Sequence, residues 1–523
     1  MAPSIAPGDL STALAAVASR ADAMAARLAD AATTTTTLAR ERALLRLIGV
    51  GGIDREGRPL AAEVVDRYVG EDRSRLAGGI GLPFAVALLE YEATPQSLAL
   101  DVASGAIDLR LEAQLLADPS RRAAAADHLA TLVTAAVARI DANRVARRDS
   151  LLVLGDGPEP WIGATLHEGP IETARAETVV LARAGLDIVH VRVPAGRELA
   201  VRLRDRGHDI AWHPRAVGVT EEPEPAGSQR GIAKLRDTLD EAAAERGAYL
   251  RLAVIPAALA SPEAAIVAAF ERVDVLELDP MAEIVTIGVH PERALADFAA
   301  AVRIARRAEF AILVGAGPPV VAPDLDAGVN SDAPARSGRA LALQLLTIAI
   351  ARRLGLQGEQ VIADALPAWV MGETDPAARA AADVALRRAL LDDARLAFTE
   401  PPGDAAAVWP SIVAAVQPGD GVALVSRRTN AGTGAVAQIA GRARAAAEAA
   451  RELDAALSAR TLRGVGLEHA AGALAAARGL LDTLADEGWG PLTGAATTGW
   501  GGIAADSVAT MAPDEDPLAA ALG

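Results

Sequence analysis

Asp279 closes the run VDVLELDP, Arg192 lies in DIVHVRVPAG, and Ser228 opens SQRGIAKLRDTLDEAAAERG. A carboxylate at the carboxyl end of a barrel strand can pair with a cofactor's protonated nitrogen or with a substrate amine; in the same position it can simply cap a helix. Arg192 suits a phosphate or carboxylate, or a salt bridge on a rim. Ser228 reads as a helix N-cap, a place that also suits an anion. Lys234 is the only lysine among 51 basic residues, so any Schiff-base or lysine-base chemistry confined to this chain has one candidate. Its place inside the helix that Ser228 opens predicts a solvated side chain instead.

Other chemistries find less support. The seven histidines form no H-x-x-x-H or H-E-x-x-H pair. His208 and His213, with Asp209 between them, could hold a metal but read better as a surface loop, and His167 and His290 are weak ligand candidates near strand ends. No metal site is expected. The absence of cysteine removes disulfides, thiolate zinc sites and cysteine nucleophiles. No G-x-S-x-G elbow is present. The loops GVGG at 49–52, GGIG at 78–81 and VGAGPP at 314–319 lack dinucleotide or P-loop spacing. The first two read as helix stops, while the third follows a strand, where backbone amides could meet a phosphate but a plain loop is the preferred reading.

The elements that would position these groups follow from the hydropathy pattern. Over 523 residues the apolar fraction is 51% and the aromatic fraction 3%, so Ala, Leu, Val and Ile must build the core. Residues 1–148 read as a helical N-terminal accessory region. From there short β-branched runs alternate with helices: LLVLGDG, WIGATLHEG, DIVHVRV, LRLAVIP, VDVLELDP, FAILVGAG, LAFTEPP and GVALVS. Such alternation predicts parallel strands with crossover helices. The fold class expected is α/β, a (β/α)8 TIM-type barrel over 149–430, with helical additions at both ends. The C-terminal one, 431–523, would finish in a mobile acidic tail. In PERALADFAAAVRIARRAEF, Leu295, Phe298, Val302 and Ala305 make one stripe and Arg303, Arg306 and Arg307 lie outside it.

A net charge of -17 without a basic cluster argues against nucleic acid and anionic membranes as partners. No apolar run is read as a membrane span, and MAPSIAPGDLSTAL lacks a signal peptide's basic region and apolar core, so the expected location is cytoplasmic.

The stretch TTTTTLARERALLRLIGVGGIDREGRPLAAEVVD, followed by ATPQSLALDVASGAIDL at 93–109, resembles the amino-terminal region of the α subunit of the D-lysine 5,6-aminomutase family. AYLRLAVIPAALASPEAAIVAAFERVDVLELDPMAEI at 248–284 is similar to the barrel strands of that family and their acidic turn. The likeness runs from about 30 to 350. It implies an isomerase that moves an amino group between adjacent carbons of a basic amino acid by radical chemistry. Its cofactors would be pyridoxal phosphate, held in the barrel, and adenosylcobalamin, carried by a smaller β-type partner that also brings the cofactor-binding lysine. A hetero-oligomer is therefore implied. The near absence of lysine here agrees with that division. So does the lack of the D-x-H-x-x-G cobalamin signature, whose closest string, LEHAAG at 467–472, has Leu467 in place of the aspartate.

By matching positions, Arg192 corresponds to the arginine that begins the family's R-T-T-G-Q-S segment. Gly196 keeps its glycine and Arg197 takes the serine position. Ser228 falls at the phosphate-side hydroxyl. Asp279 matches the aspartate of the N-D turn, near the pyridine ring or the substrate amine, and is the implied catalytic residue. Ile255 replaces a tyrosine, and ADALPAWVMGE replaces a segment bearing a histidine. These departures leave two rivals to the aminomutase reading: a barrel kept as a scaffold or regulatory subunit, and a barrel enzyme of unrelated chemistry. The arginines of LARERALLRL are expected on a solvated or subunit-facing surface.

Overall fold

The threonine run breaks the helical pattern expected of residues 1–148. Between helix α1 (Pro7–Thr33) and helix α2 (Leu38–Leu47), Thr35–Thr37 forms a short strand, β1. Branching at Cβ restrains these side chains in a helix and suits an extended backbone. Thr37 then caps α2, its hydroxyl accepting from the Arg40 amide at 3.0 Å. The α2 arginines do not form the solvated or subunit-facing surface the sequence suggested. Arg40 and Arg42 are 3% and 5% exposed. Arg40 donates to the Thr35 carbonyl at 2.9 Å, and Arg42 and Arg46 pair with Asp66 and Glu263, each at 3.1 Å. Three ten-residue helices follow among shorter turns: α3 (Leu60–Val69), α4 (Gly81–Glu90) and α5 (Pro95–Ser104).

Helix α6 (Pro119–Leu154) is 36 residues long and absorbs LLVL, which the sequence pattern assigned to a first strand. A short apolar run looks alike in a strand and at a helix end, and here the preceding helix simply continues. By length and composition α6 could cross a membrane, contrary to the sequence reading. It instead packs Leu129, Val133, Val137 and Ile140 into the core. It is tied to the barrel by Asn143 and Arg147, which donate to the carbonyls of Phe270 (2.7 Å) and Val273 (3.0 Å).

The computed structural model describes residues 7–54, 58–70, 72, 74–157, 161–166, 169–194, 225–315, 333–365, 376–391, 393–399, 423–426, 465–493, 508–510, 517 and 522. Within these, eight parallel strands close into a barrel: β2 (Trp161–Thr165), β3 (Ile188–Arg192), β4 (Arg251–Ile255), β5 (Val275–Glu277), β6 (Ala311–Val314), β7 (Val361–Asp364), β8 (Arg395–Thr399) and β9 (Ala423–Ser426). β9 pairs back onto β2. β7, only VIAD, replaces LLVL as the eighth member; four residues carry too little pattern to be read alone.

Alternate residues face the lumen. Trp161, Ile188, Ala253, Val275, Leu313, Ile362 and Ala397 form the lower interior as a cluster of their own. Trp161 closes the floor between two guanidinium groups, Arg251 at 3.5 Å and Arg395 at 4.2 Å from its ring centre.

The barrel helices are α7 (Ile171–Arg183), α8 (Gln229–Arg246), α9 (Ser261–Phe270), α10 (Pro291–Ala308), α11 (Ala333–Arg353) and α12 (Pro376–Leu390). In α10 the stripe Leu295, Phe298, Val302 and Ala305 is buried as the spacing predicts. Helix α13 (Val465–Glu487) lies against α11 and α1. Strand β10 (Val508–Thr510) pairs antiparallel with β1, joining the two terminal additions. Farther along, Leu522 is 4% exposed within the core.

Candidate functional site

Three neighbouring strands carry the rim. β3 ends at Arg192, which is in register with Ile255 at the end of β4. β5, paired to β4, ends two residues before Asp279. Period-two alternation puts Arg192, Ile255 and Asp279 on the lumen side of these strands' carboxyl ends, where barrels place their chemistry. Ile255 is 8% exposed and offers aliphatic surface between the charged pair.

Ser228 is brought to the same edge by close backbone approach. A Cβ added at Gly227 would lie 1.9 Å from the Arg192 carbonyl oxygen, and one at Gly231 would lie 2.3 Å from that of Pro225. Only glycine allows the start of α8 to abut the end of β3 this tightly. Ser228 caps the helix, its Oγ accepting from the Gly231 amide at 2.9 Å. A serine hydroxyl is a short polar group of the kind that suits an anion at a helix start. The β3 edge thus brings together the end of the strand that bears Arg192, a serine hydroxyl and the positive end of an 18-residue helix, residue types that suit a phosphate group.

Asp279 has a structural role: its Oδ1 accepts from the Ala282 amide at 2.9 Å and caps the turn Pro280–Ala282. Oδ2 points towards β6, where a Cβ on Gly315 would come within 2.3 Å of it. The turn runs into a π-helical segment, Glu283–Ile287, of a kind that often marks a site. Glu283 is reached by the Leu259 amide at 3.4 Å and the Ser261 hydroxyl at 3.5 Å. Desolvation of its carboxyl group, then the charge of Asp297, push its pKa up to about 8. Leu259 holds a φ of 65°, a left-handed conformation uncommon outside glycine and strained in the loop after β4.

Sequence reasoning missed the layer just beneath the rim. Counting back by two from Arg192 and Asp279 gives His190 and Glu277, and β2 and β7 add Thr165 and Asp364 on the same face. His190, Thr165 and Asp364 are 1%, 3% and 4% exposed. The alternation would have found the first two; the others needed the strand register.

The remaining candidates fall elsewhere. Lys234 is on the outer face of α8, paired with Glu172 at 3.4 Å. His290 is the N-cap of α10 rather than a strand-end ligand. His469, in LEHAAG, is buried with its Nε2 3.3 Å from Asp383, and its neighbourhood is a structural one. Gly196, Arg197, His167, His208, Asp209, His213 and most of ADALPAWVMGE lie outside the described residues. Among the described residues no cluster of three or more metal-ligating side chains occurs.

The family model for the D-lysine 5,6-aminomutase TIM-barrel domain of the alpha subunit matches residues 10–403. A lysine 5,6-aminomutase alpha subunit from Fusobacterium nucleatum is 29% identical over 263 residues, 50% of this chain and 48% of that protein. The alpha subunit from Acetoanaerobium sticklandii is 27% identical over 263 residues, 50% of this chain and 47% of that protein. The chain spans about half the length of the curated relatives it matches. Among solved structures, a cube-shaped designed protein cage aligns at a TM-score of 0.33 and 14% identity, over 63% of this chain and 85% of that one, which carries no argument. The match over most of the barrel and the helices before it places this chain in the family of the D-lysine 5,6-aminomutase α-subunit TIM-barrel domain.

Proposed function

We propose that this chain is the barrel subunit of a pyridoxal phosphate- and cobalamin-dependent amino acid aminomutase, shifting an amino group between adjacent carbons of a basic amino acid together with a cobalamin-carrying partner. The observation that carries the reading is the phosphate cradle at the β3 edge, where the Gly227 approach sets Ser228 and the start of α8 against the carbonyl of Arg192. Arg192, Ser228 and the α8 amides would hold the phosphate of the cofactor. Asp279, one strand beyond Ile255, would present a carboxylate to the pyridine nitrogen or to a substrate ammonium group. Bound pyridoxal phosphate supplies a conjugated ring that delocalises an unpaired electron beside the migrating nitrogen. The residues of this chain contribute binding, orientation and a lumen screened from bulk water by the packed layers below.

The division into a helical accessory region, a barrel and a C-terminal helical region is part of the same proposal, as is the role of the partner in supplying the lysine. Titration of the chain with pyridoxal phosphate, followed by ultraviolet-visible absorbance with and without the partner, tests it. Saturable binding that Arg192→Ala weakens supports the reading, and no saturable binding in either case overturns it. A second reading, a barrel kept as scaffold, draws on Ile255, which offers no ring face to a cofactor. Turnover of D-lysine, L-β-lysine or D-ornithine by the reconstituted pair excludes it.

A further inference from the structure

Behind the rim, on the outer side of β6 and β7, lies a polar network that no chemistry described above uses. Gln344 on α11 is 1% exposed, and its Nε2 donates to the carbonyls of Gly315 (2.7 Å), Asp364 (2.8 Å) and Val314 (3.3 Å). Two amide hydrogens serve three acceptors, so one bond is shared. The amide orientation is fixed from the other side: Arg387 on α12 donates from Nε to the Gln344 Oε1 at 2.8 Å. An arginine has no acceptor, so this contact forces the Gln344 oxygen to face it and the nitrogen to face the strand ends. Arg387 is backed by Asp383, which takes the Ser337 hydroxyl at 2.5 Å and sits 3.3 Å from His469 on α13. Asp383, Arg387 and Ser337 are each 0% exposed.

The three carbonyls belong to the carboxyl ends of β6 and β7. Gly315 is the residue against which Asp279 Oδ2 is set, with no room for a Cβ between them. Asp364 is the luminal acid of β7. We propose that Gln344 is a positioning residue for the rim: by clamping the ends of β6 and β7 together it sets the surface that holds Asp279 and the direction in which Asp364 enters the lumen. The buried pair Asp383–Arg387 keeps Gln344 in the one orientation that can do this, and His469 ties that pair to the C-terminal helix. The functional consequence rests on the cofactor reading of Asp279 above; the clamp itself does not.

The test compares Gln344→Met, which keeps volume and loses both donors, with Ser337→Ala, which disturbs the same buried network at its outer end. Hydrogen exchange of the full chain, followed by mass spectrometry, reads the strand ends directly through peptides covering 310–316 and 361–366. The latter peptide includes the Ala365 amide, which bonds to the Ala397 carbonyl at 2.7 Å. Gln344→Met should speed exchange in both peptides about tenfold more than Ser337→Ala does, for one lost clamp of two to three hydrogen bonds. It should weaken pyridoxal phosphate binding by about tenfold while Ser337→Ala leaves it near wild type. Equal exchange patterns in the two variants, or unchanged rim exchange in Gln344→Met, overturn the proposal. Gln344→Asn, one methylene shorter, takes its place if the methionine variant does not fold, with the same criteria. If the wild-type chain binds no pyridoxal phosphate, the cofactor reading fails and the exchange comparison alone decides the clamp.

Discussion

Among the described residues, Glu283 is the carboxyl group whose surroundings shift its titration furthest into the working pH range. Its ordinary carboxyl pKa of 4.5 rises to about 8 in the folded chain, first because the group is desolvated and next because Asp297 is negative nearby. Between those values the folded state holds a proton that the unfolded state has lost, so stability falls as pH rises from about 4.5 to about 8 and levels off above. Thermal melts of Glu283→Gln, which is neutral throughout, should therefore lose less between pH 5 and pH 8 than the wild type, with melting points several degrees closer together. Equal slopes for the two proteins would show that the group is ionised when folded. Arg192 calls for a different measurement. Arg192→Lys keeps the charge but loses the planar fork; it should weaken pyridoxal phosphate binding about tenfold, and Arg192→Ala more, without much change in melting temperature. Asp279 and Arg192 were legible because each ends an aliphatic run. Glu283 was not, because Ser261 and Asp297, which surround it, belong to other helices that only the fold brings near.

At the scale of elements, two glycine-bearing turns act as joints, the first of them read from the sequence as a helix stop. GVGG ends α2 with Gly49 and Gly52 at positive φ (107° and 73°), where a side chain would be strained. Gln96 then clamps it, accepting from the Gly51 amide at 2.9 Å and donating to the Gly51 carbonyl at 3.0 Å. Gln96 belongs to TPQS, where Thr94 and Ser97 form a capping box and Pro95 opens α5. The sequence landmarks that pointed to the family are thus one physical joint, although nothing in their spacing shows that they touch. Gln96→Ala should cost about 1–2 kcal/mol and speed hydrogen exchange at 49–53. An unchanged melting point and exchange rate would mean that the glycine turn holds without it. The second joint is tighter: Gly227→Ala sets a methyl group into the Arg192 carbonyl, and the start of α8 must retreat. Its cost should reach several kcal/mol by overpacking, with pyridoxal phosphate affinity falling further than Ser228→Ala lowers it; a near-normal affinity would place the phosphate elsewhere. The barrel was readable because alternating strands and helices repeat along the chain, yet the exchange of LLVL, which ends α6, for VIAD as a barrel strand is settled only by closure of the sheet.

The whole molecule bears on which chain would supply a lysine to the proposed cofactor. With one lysine in 523 residues, and that one half-exposed on the outer side of α8 beside Glu172, this chain directs no lysine at the rim. The terminal additions do not supply one either: they brace the barrel from outside, β1 pairing with β10 and Thr37 donating its hydroxyl to Asp297 beside Arg293 on α10. On the proposed reading the rim on β3 to β5 would grip a phosphate and a cationic group, and covalent capture of a carbonyl would need a nucleophilic amine from a second chain. Borohydride reduction of the chain with pyridoxal phosphate, followed by peptide mapping, puts this to the proof. The chain alone should show only trace labelling of Lys234, and Lys234→Arg should leave the saturable absorbance change intact. In the reconstituted complex a single stoichiometric label should appear on a lysine of the partner. Stoichiometric reduction onto Lys234 in the isolated chain would refute the division between the two subunits, because it would require α8 to turn its outer face towards the barrel mouth, against the Ser228 cap and the Gly227 contact that hold it where it is.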